Sequence, residues 1–332
     1  MIYTDYLAAA PAFRAQIDQA QRILLLTHVN PDGDAIGSLL GAAHALRELG
    51  KEVICLIATP APSYTAALPG IEWLSLYQRG DPLPAVDLTW MLDTATPARV
   101  GAIAEEHGAA LLAGPLIITD HHVTNEGGGL VNLIDPTAAS NADLLFRLLV
   151  AMGLPVSPAA ATCLYLGLIT DTQSFQLSST TPQTLRTAGD ILAAGADLRA
   201  VIQAVYFSIP ESTLRLSSLS LAALQREDGL LWTSITQAAQ QATGAGDEAG
   251  DDTLMRMQRV AGMQICALFK ERRDGTVKIS LRSVPGINVA AIAQRYGGGG
   301  HTQAAGATLL MGLEAAQAEV LPLLREALGG TR

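Results

Sequence analysis

Short apolar runs return at intervals through the first half of the chain: RILLLTH (22–28), EVICLIA (52–58), DLTWMLD (87–93), PLIITD (115–120) and LVNLID (130–135). The segments between them have helical spacing, as in AIGSLLGAAHALRELG (35–50). Continuous apolar strands alternating with helices predict βαβ units and a parallel sheet covered on both faces. Beyond Asp135 the spacing turns helical: Ser140 or Asn141 stands where it would cap ADLLFRLLVAMG, and AAATCLYLGLITD follows. Strand-like runs resume with LLWTSIT (230–236), MQICALFKE (263–271) and TVKISLRS (276–283), the last two joined across RRDG as a hairpin. A glycine run and a final amphipathic helix, LEAAQAEVLPLLREALG, close the pattern.

The fold class is therefore α/β. A parallel-sheet domain with helices on both faces is expected over 1–185, a helical connector over 186–212, and a smaller α+β domain over 213–332, with an active-site cleft between the domains. A length of 332 residues fits two separate cores. QATGAGDEAGDD (241–252) reads as a polar surface loop.

Charge narrows the partners. With 31 acids against 21 Lys and Arg, the net charge of -10 disfavours long nucleic acid, whose backbone must be neutralised by many cations. Short anionic ligands remain accessible if a metal or a few arginines receive them. Cys55, Cys163 and Cys266 are odd in number and show no CxxC spacing, so neither a disulfide framework nor a structural zinc site is expected. The start, MIYTDYLAAAPAFRAQIDQAQ, lacks a basic-then-apolar export layout, and Pro155 and Pro158 divide the uncharged stretch 148–170, so no membrane contact is expected and the expected compartment is the cytoplasm.

The chemistry-bearing residues cluster at strand ends, where open parallel sheets bind ligands. HVNPDGDAIGS (28–38) brings His28, Asp32 and Asp34 into one turn; LDTAT ends a strand at Asp93; ITDHHVTN places Asp120, His121 and His122 at another; and LITDTQSF closes an uncharged stretch with Asp171. A carboxylate at such a place is costly unless paired or metal-bound. His44 and His107 lie in ordinary helical segments and read as surface or core-edge residues.

In that order, HVNPDGDAIGS, LDTA, DHH, TDTQSF and GGGGHTQAAG resemble the DHH phosphoesterases that carry a DHH-associated domain, over about residues 15–325. Within the family, the compact length resembles the nanoRNase and pAp-phosphatase (NrnA-like) group. The resemblance implies a two-metal phosphohydrolase, usually manganese-dependent. By motif position His28 and Asp32 would hold one ion, Asp34, His121 and Asp171 the other, and Asp93 would bridge them. His122 would face the substrate phosphate, with Asp120 orienting its neighbours. Carboxylates and imidazoles without thiolates suit Mn²⁺ and tolerate Mg²⁺ or Co²⁺. Two such ions would clamp the attacking and leaving oxygens, so direct attack by a metal-bound water is expected.

In the second half, Arg282 and Ser283 resemble the family's phosphate-holding pair, and the loop Gly298, Gly299, Gly300 and His301 would close on the non-scissile end of the substrate. Short oligoribonucleotides, linear dinucleotides and 3′-phosphoadenosine 5′-phosphate (pAp) are the expected substrates, and the apolar composition is compatible with a homodimer. A cyclic di-AMP phosphodiesterase uses the same two domains, and a nucleotide-binding regulator without turnover is the reading from another class. Gln173 departs from the pattern, since the family commonly has glycine there, which puts loop conformation or substrate fit in question.

Overall fold

A computed structural model describes residues 1–246 and 249–329. The chain divides into two compact units, Met1–Ser208 and Ile209–Arg332.

In the first unit, β1 (Ile2–Tyr3) and α1 (Tyr6–Gln19) precede β2 (Arg22–Leu26), α2 (Gly33–Glu48), β3 (Glu52–Ile57), β4 (Leu74–Leu76), β5 (Leu88–Leu92), α3 (Ala102–Ala113), β6 (Leu116–Asp120) and β7 (Val131–Ile134). Helices α4 (Asn141–Ala151), α5 (Pro158–Asp171), α6 (Pro182–Ala193) and α7 (Leu198–Tyr206) complete it. The seven strands form one parallel sheet in the order β1-β7-β6-β5-β2-β3-β4. Alternation along each strand loads both faces. Ile23, Leu25, Trp90, Leu92, Ile117 and Leu133 pack with residues of α1, α2, α4 and α5, whereas Leu24, Leu26, Met91, Leu116 and Ile118 pack with Val100, Ile103 and Leu111. The strand order reverses between β2 and β5, and the crevice at their carboxyl ends is where such sheets bind ligands.

The connector expected over 186–212 is occupied by α6, α7 and the start of α8 (Glu211–Ala222), and the unit boundary falls between Ser208 and Ile209. Helix α8 leads into β8 (Gln225–Glu227), β9 (Leu230–Ile235), α9 (Gln237–Thr243), α10 (Ala249–Gln258), β10 (Ile265–Glu271), β11 (Val277–Ser283), α11 (Ala290–Gln294), β12 (Gly299–His301), β13 (Ala304–Leu309) and α12 (Leu313–Gly329). A mixed six-stranded sheet in the order β12-β13-β11-β10-β9-β8 has helical residues on both faces. The α/β architecture read from the sequence is the architecture of the protein.

Two local expectations change. The polar stretch 241–252 is partly helical: 241–243 belong to α9 and 249–252 to α10, where Ala249 and Gly250 are buried; Asp247 and Glu248 lie outside the described residues. The GGGGH run is part of an edge strand, with Gly299 opposite Gly306 and Gly300 opposite Ala305. Glycine is required there because a Cβ on Gly298 would sit 2.1 Å from the Gly306 carbonyl oxygen. Among the described residues no helix is long and apolar enough to cross a membrane.

Helices α2 and α5 meet along glycine. A Cβ on Gly37 would lie 2.4 Å from the Cys163 carbonyl oxygen, and one on Gly41 2.7 Å from Leu164. On α3, by contrast, a Cβ on Gly108 would meet nothing within 4 Å. Gly37→Ala is therefore expected to cost about 1–3 kcal/mol through overpacking, and Gly108→Ala to stabilise by about 0.4–1 kcal/mol through helix propensity and unfolded-state entropy. Melting temperatures of the two variants should move in opposite directions; a shared direction would contradict the packing described.

Candidate active site

His28 follows β2 by one residue beyond Thr27, and Asp32 caps α2, its Oδ1 accepting the N–H of Asp34 and of Ala35, each at 3.0 Å. Asp34 sits in the first turn of α2, 1% exposed, and both its oxygens accept backbone N–H groups at the start of α4: Asn141 at 2.6 Å and Ala142 at 2.9 Å. A helix N-terminus thus holds this buried carboxylate in place. Asp93 directly follows β5 with φ 53°, a left-handed backbone uncommon outside glycine. Asp171 is the last residue of α5.

These side chains converge. His28 Nε2 lies 3.6 Å from Asp93 Oδ2, and His121 Nε2 lies 3.6 Å from Asp93 Oδ1, 3.5 Å from Asp171 Oδ2 and 3.9 Å from Asp34 Oδ2. Such separations are too long for direct hydrogen bonds and suit atoms that face a common cation. Their ligand atoms group as His28, Asp32 and Asp93, as Asp34, His121 and Asp171, and as Asp93, His121 and His122, each set within 4.8 Å. Among the described residues Asp93 Oδ1 is buried without a hydrogen-bond partner, an oxygen suited to a cation. The donors are nitrogen and oxygen throughout, so the residues present fit hard or borderline divalent ions.

The charge balance points the same way. Burial and the neighbouring carboxylates Asp93 and Asp171 push Asp34 well above the usual carboxylate range; burial, Asp32 and Asp93 do the same to Asp171. Burial opposes ionisation of Asp93 too, but His28, His121 and His122 hold its carboxyl well below that range. Burial opposes the charge on His28, yet Asp93 and Asp32 outweigh it and raise the imidazole to about 9. The site demands positive charge, supplied by protons or by a metal.

Asp120 is fully buried at the end of β6. Its Oδ1 accepts the His121 N–H at 2.9 Å and lies 2.8 Å from His122 Nδ1, while its Oδ2 accepts from Asn125 Nδ2 at 2.6 Å. Asn125 was not singled out by sequence; its only mark there is its place five residues after Asp120 in DHHVTN. The Asn141 and Ala142 amides were also missed, because a predicted cap does not tell which distant carboxylate it meets.

Gln173, Ser174 and Phe175 form a left-handed turn after Asp171, with φ of 47°, 59° and 65°. Glycine would take Gln173's conformation without steric cost, and here the turn is held by Thr172, whose Oγ1 accepts the Phe175 N–H at 3.1 Å, and by a Ser174–Tyr206 hydroxyl contact. His44 and His107 have local partners: His44 packs on Trp73 and His107 on Tyr77.

The remaining candidates belong to the second unit. Arg282 and Ser283 end β11; Ala304 is in register with both Arg282 and His301, which puts the three positions in one row across the sheet. Arg282 donates from Nη1 to the Leu281 carbonyl at 3.0 Å, and burial lowers the pKa of its guanidinium. Ser283 Oγ donates to the Ile287 carbonyl at 2.7 Å. Gly298 precedes β12, which Gly299 and Gly300 begin; the His301 side chain lies outside the described residues.

A two-domain phosphoesterase class is thereby indicated, and comparison places the chain within it. The model of the DHH family, N-terminal domain, matches residues 22–168, and that of the DHHA1 domain matches 238–329. The chain is 36% identical over 310 residues, 92% of its own length and 90% of the relative's, to the bifunctional oligoribonuclease and PAP phosphatase NrnA of Thermus thermophilus. It is 28% identical to the cyclic-di-AMP phosphodiesterase GdpP of Geobacillus thermodenitrificans, over 90% of this chain but 46% of that protein. The crystal structure of an exopolyphosphatase-related protein from Bacteroides fragilis superposes with a TM-score of 0.89 at 26% identity, covering 97% of this chain and 96% of the other. This chain belongs to the DHH phosphoesterase family.

The pairing of His28 with the carboxylates has a pH signature. Its pKa rises from 6.5 to about 9 on folding, so its stabilisation is complete below pH 6.5 and is lost as pH rises through about 9. After metal removal by a chelator, the melting temperature should fall across that window, and saturating divalent cation should raise it by mass action, about 2.7 kcal/mol at a hundredfold excess over Kd. A flat profile in differential scanning fluorimetry would refute the pairing.

Proposed function

We propose that the chain is a two-metal phosphohydrolase that cleaves short oligoribonucleotides, including linear dinucleotides, to 5′-nucleotides and removes the 3′-phosphate of pAp. The observation that carries this reading is Asp93, whose buried carboxylate stands between the His28–Asp32 pair and His121, with no donor to Oδ1 among the described residues. The similarity to the Thermus thermophilus NrnA, over nearly the whole of both chains, supports the substrate class.

In this reading His28, Asp32 and Asp93 hold one divalent ion, Asp34, His121, Asp171 and Asp93 the other. Mn²⁺ is the ion expected from the donor set, with Mg²⁺ or Co²⁺ as substitutes. Bound there, the ions would supply Lewis-acid polarisation of the phosphoryl oxygens and lower the pKa of the attacking water. The chain's own residues do the rest. Asp34, fixed by the α4 amides, and Asp120, fixed by Asn125, keep the cluster from rearranging; His122, oriented by Asp120, faces the scissile phosphate. No thiol competes as nucleophile, since all three cysteines are buried and burial raises Cys55 and Cys266 to about 12. Arg282 grips the terminal phosphate of the substrate with Ser283, Gly298, Gly299, Gly300 and His301 beside it; a half-buried guanidinium with one backbone acceptor has donors to spare for an anion. The acidic surface, at a net charge of -10, selects against long strands. The cytoplasm is the compartment expected for the chain, and the apolar composition is compatible with a homodimer.

Hydrolysis of pAp, pApA, a short RNA, a long single strand and cyclic di-AMP, each with added Mn²⁺, tests this reading. Rapid turnover of the first three, with Asp93→Ala losing more than about 100-fold, beyond what loss of an outer-shell group costs, is the expected result. Preferential cleavage of cyclic di-AMP would replace it with the phosphodiesterase reading that the likeness to GdpP favours. Nucleotide binding without turnover would replace it with a regulator.

A further inference from the structure

Between β6 and β7 the chain runs through one side chain whose two amide donors and carbonyl oxygen all find partners inside the protein. The amide of Asn125 is 9% exposed; its Nδ2 donates to Asp120 Oδ2 at 2.6 Å and to the Thr94 carbonyl at 3.0 Å, and its Oδ1 accepts the Gly127 N–H at 2.7 Å. Its own backbone N–H donates to the His122 carbonyl at 3.1 Å. One planar group thus joins three things: the residue after Asp93, the carboxylate that contacts both histidines, and the loop that carries them.

We infer that Asn125 is a positioning residue for the reaction: it fixes the Asp120 carboxylate plane, and through it the tautomer and ring orientation of His122, while tying the ends of β5 and β6 together. The inference rests on the phosphohydrolase reading for its kinetic consequence and on geometry alone for its structural one. Asp120 Oδ1 faces the His121 N–H and His122 Nδ1, so rotation of the carboxylate would break both contacts together; the bond from Asn125 to Oδ2 blocks that rotation. With Oδ1 as acceptor, neutral His122 carries its proton on Nδ1 and turns Nε2 away from Asp120. The second donor matters because Asp93 holds a left-handed backbone at φ 53°, and a bond to the carbonyl of the next residue restrains it. Only an amide of this length supplies two donors and an acceptor here: aspartate offers no N–H and would set a second carboxylate against Asp120, and alanine leaves Asp120 Oδ2 and the Thr94 carbonyl without these donors.

The test uses the full chain as wild type, Asn125→Ala and Asn125→Asp. Long-range ¹H–¹⁵N correlation of the chelator-stripped protein, held well above neutral pH, should show His122 as the Nδ1–H tautomer in wild type and as a mixture in both variants. With Mn²⁺, kcat on pAp and pApA should fall about 10–100-fold while KM changes little. Wild-type His122 in the other tautomer, or variants with wild-type kcat and an unchanged tautomer, would overturn the inference. Should Asn125→Ala fail to fold, Asn125→Asp, of the same size, and the wild-type tautomer decide it. If wild type turns over neither substrate, the functional reading has failed, and the tautomer comparison still decides the role of Asn125.

Discussion

Helices α2 and α5 approach as closely as glycine allows: a Cβ on Gly37 would fall 2.4 Å from the Cys163 carbonyl oxygen, one on Gly167 2.7 Å from Asp34 Oδ1, and those on Gly33 and Gly41 2.4 Å and 2.7 Å from the Thr170 and Leu164 side chains. That approach brings the first turn of α2, with Asp34, against the last turn of α5, with Asp171. Closer packing also buries the carboxylates, and burial is what makes them demand a cation. The same contact that stabilises the first unit therefore charges its site, a case where packing and function share one set of atoms.

Around that contact the fold supplies rigidity at the candidate site residues. His28, Asp93 and Asp120 lie at the ends of β2, β5 and β6, neighbouring strands of one parallel sheet, while the N-terminus of α4 meets Asp34. Irregular backbone is confined to places with local support. Asp93 is flanked by its own N–H bond to the Thr119 carbonyl at 3.0 Å and by Thr94, and the left-handed turn at 173–175 is closed by Thr172. Strain of this kind persists only when its surroundings over-determine it.

Much of the first sheet was legible because buried parallel strands are apolar on both faces and announce themselves as runs. β1 and β4, two and three residues long, were not, since they are too short to carry a period. Helices α9 and α10 hid in a polar stretch whose glycines and acids resemble a loop; α10 forms because Ala249, Leu254 and Met257 bury a face that spacing in a short, acid-rich segment shows only weakly. The second half of the glycine run at 297–300 reads as a loop in sequence and opens an edge strand, because its small residues let β12 approach β13 closely.

The sequence by itself determined the α/β alternation, the strand ends at which His28, Asp93 and Asp120 sit, the final helix at 313–329 and the inventory of nitrogen and oxygen donors, for these depend on local period and residue chemistry. Tertiary structure alone decided which donors face one another, that the α4 amides grip Asp34, that Asn125 braces Asp120, and that Asp93 Oδ1 has no donor of its own. These are contacts between residues far apart in the chain or across a folded loop, and their geometry is set by how closely helices and strands pack, a quantity that no local pattern encodes.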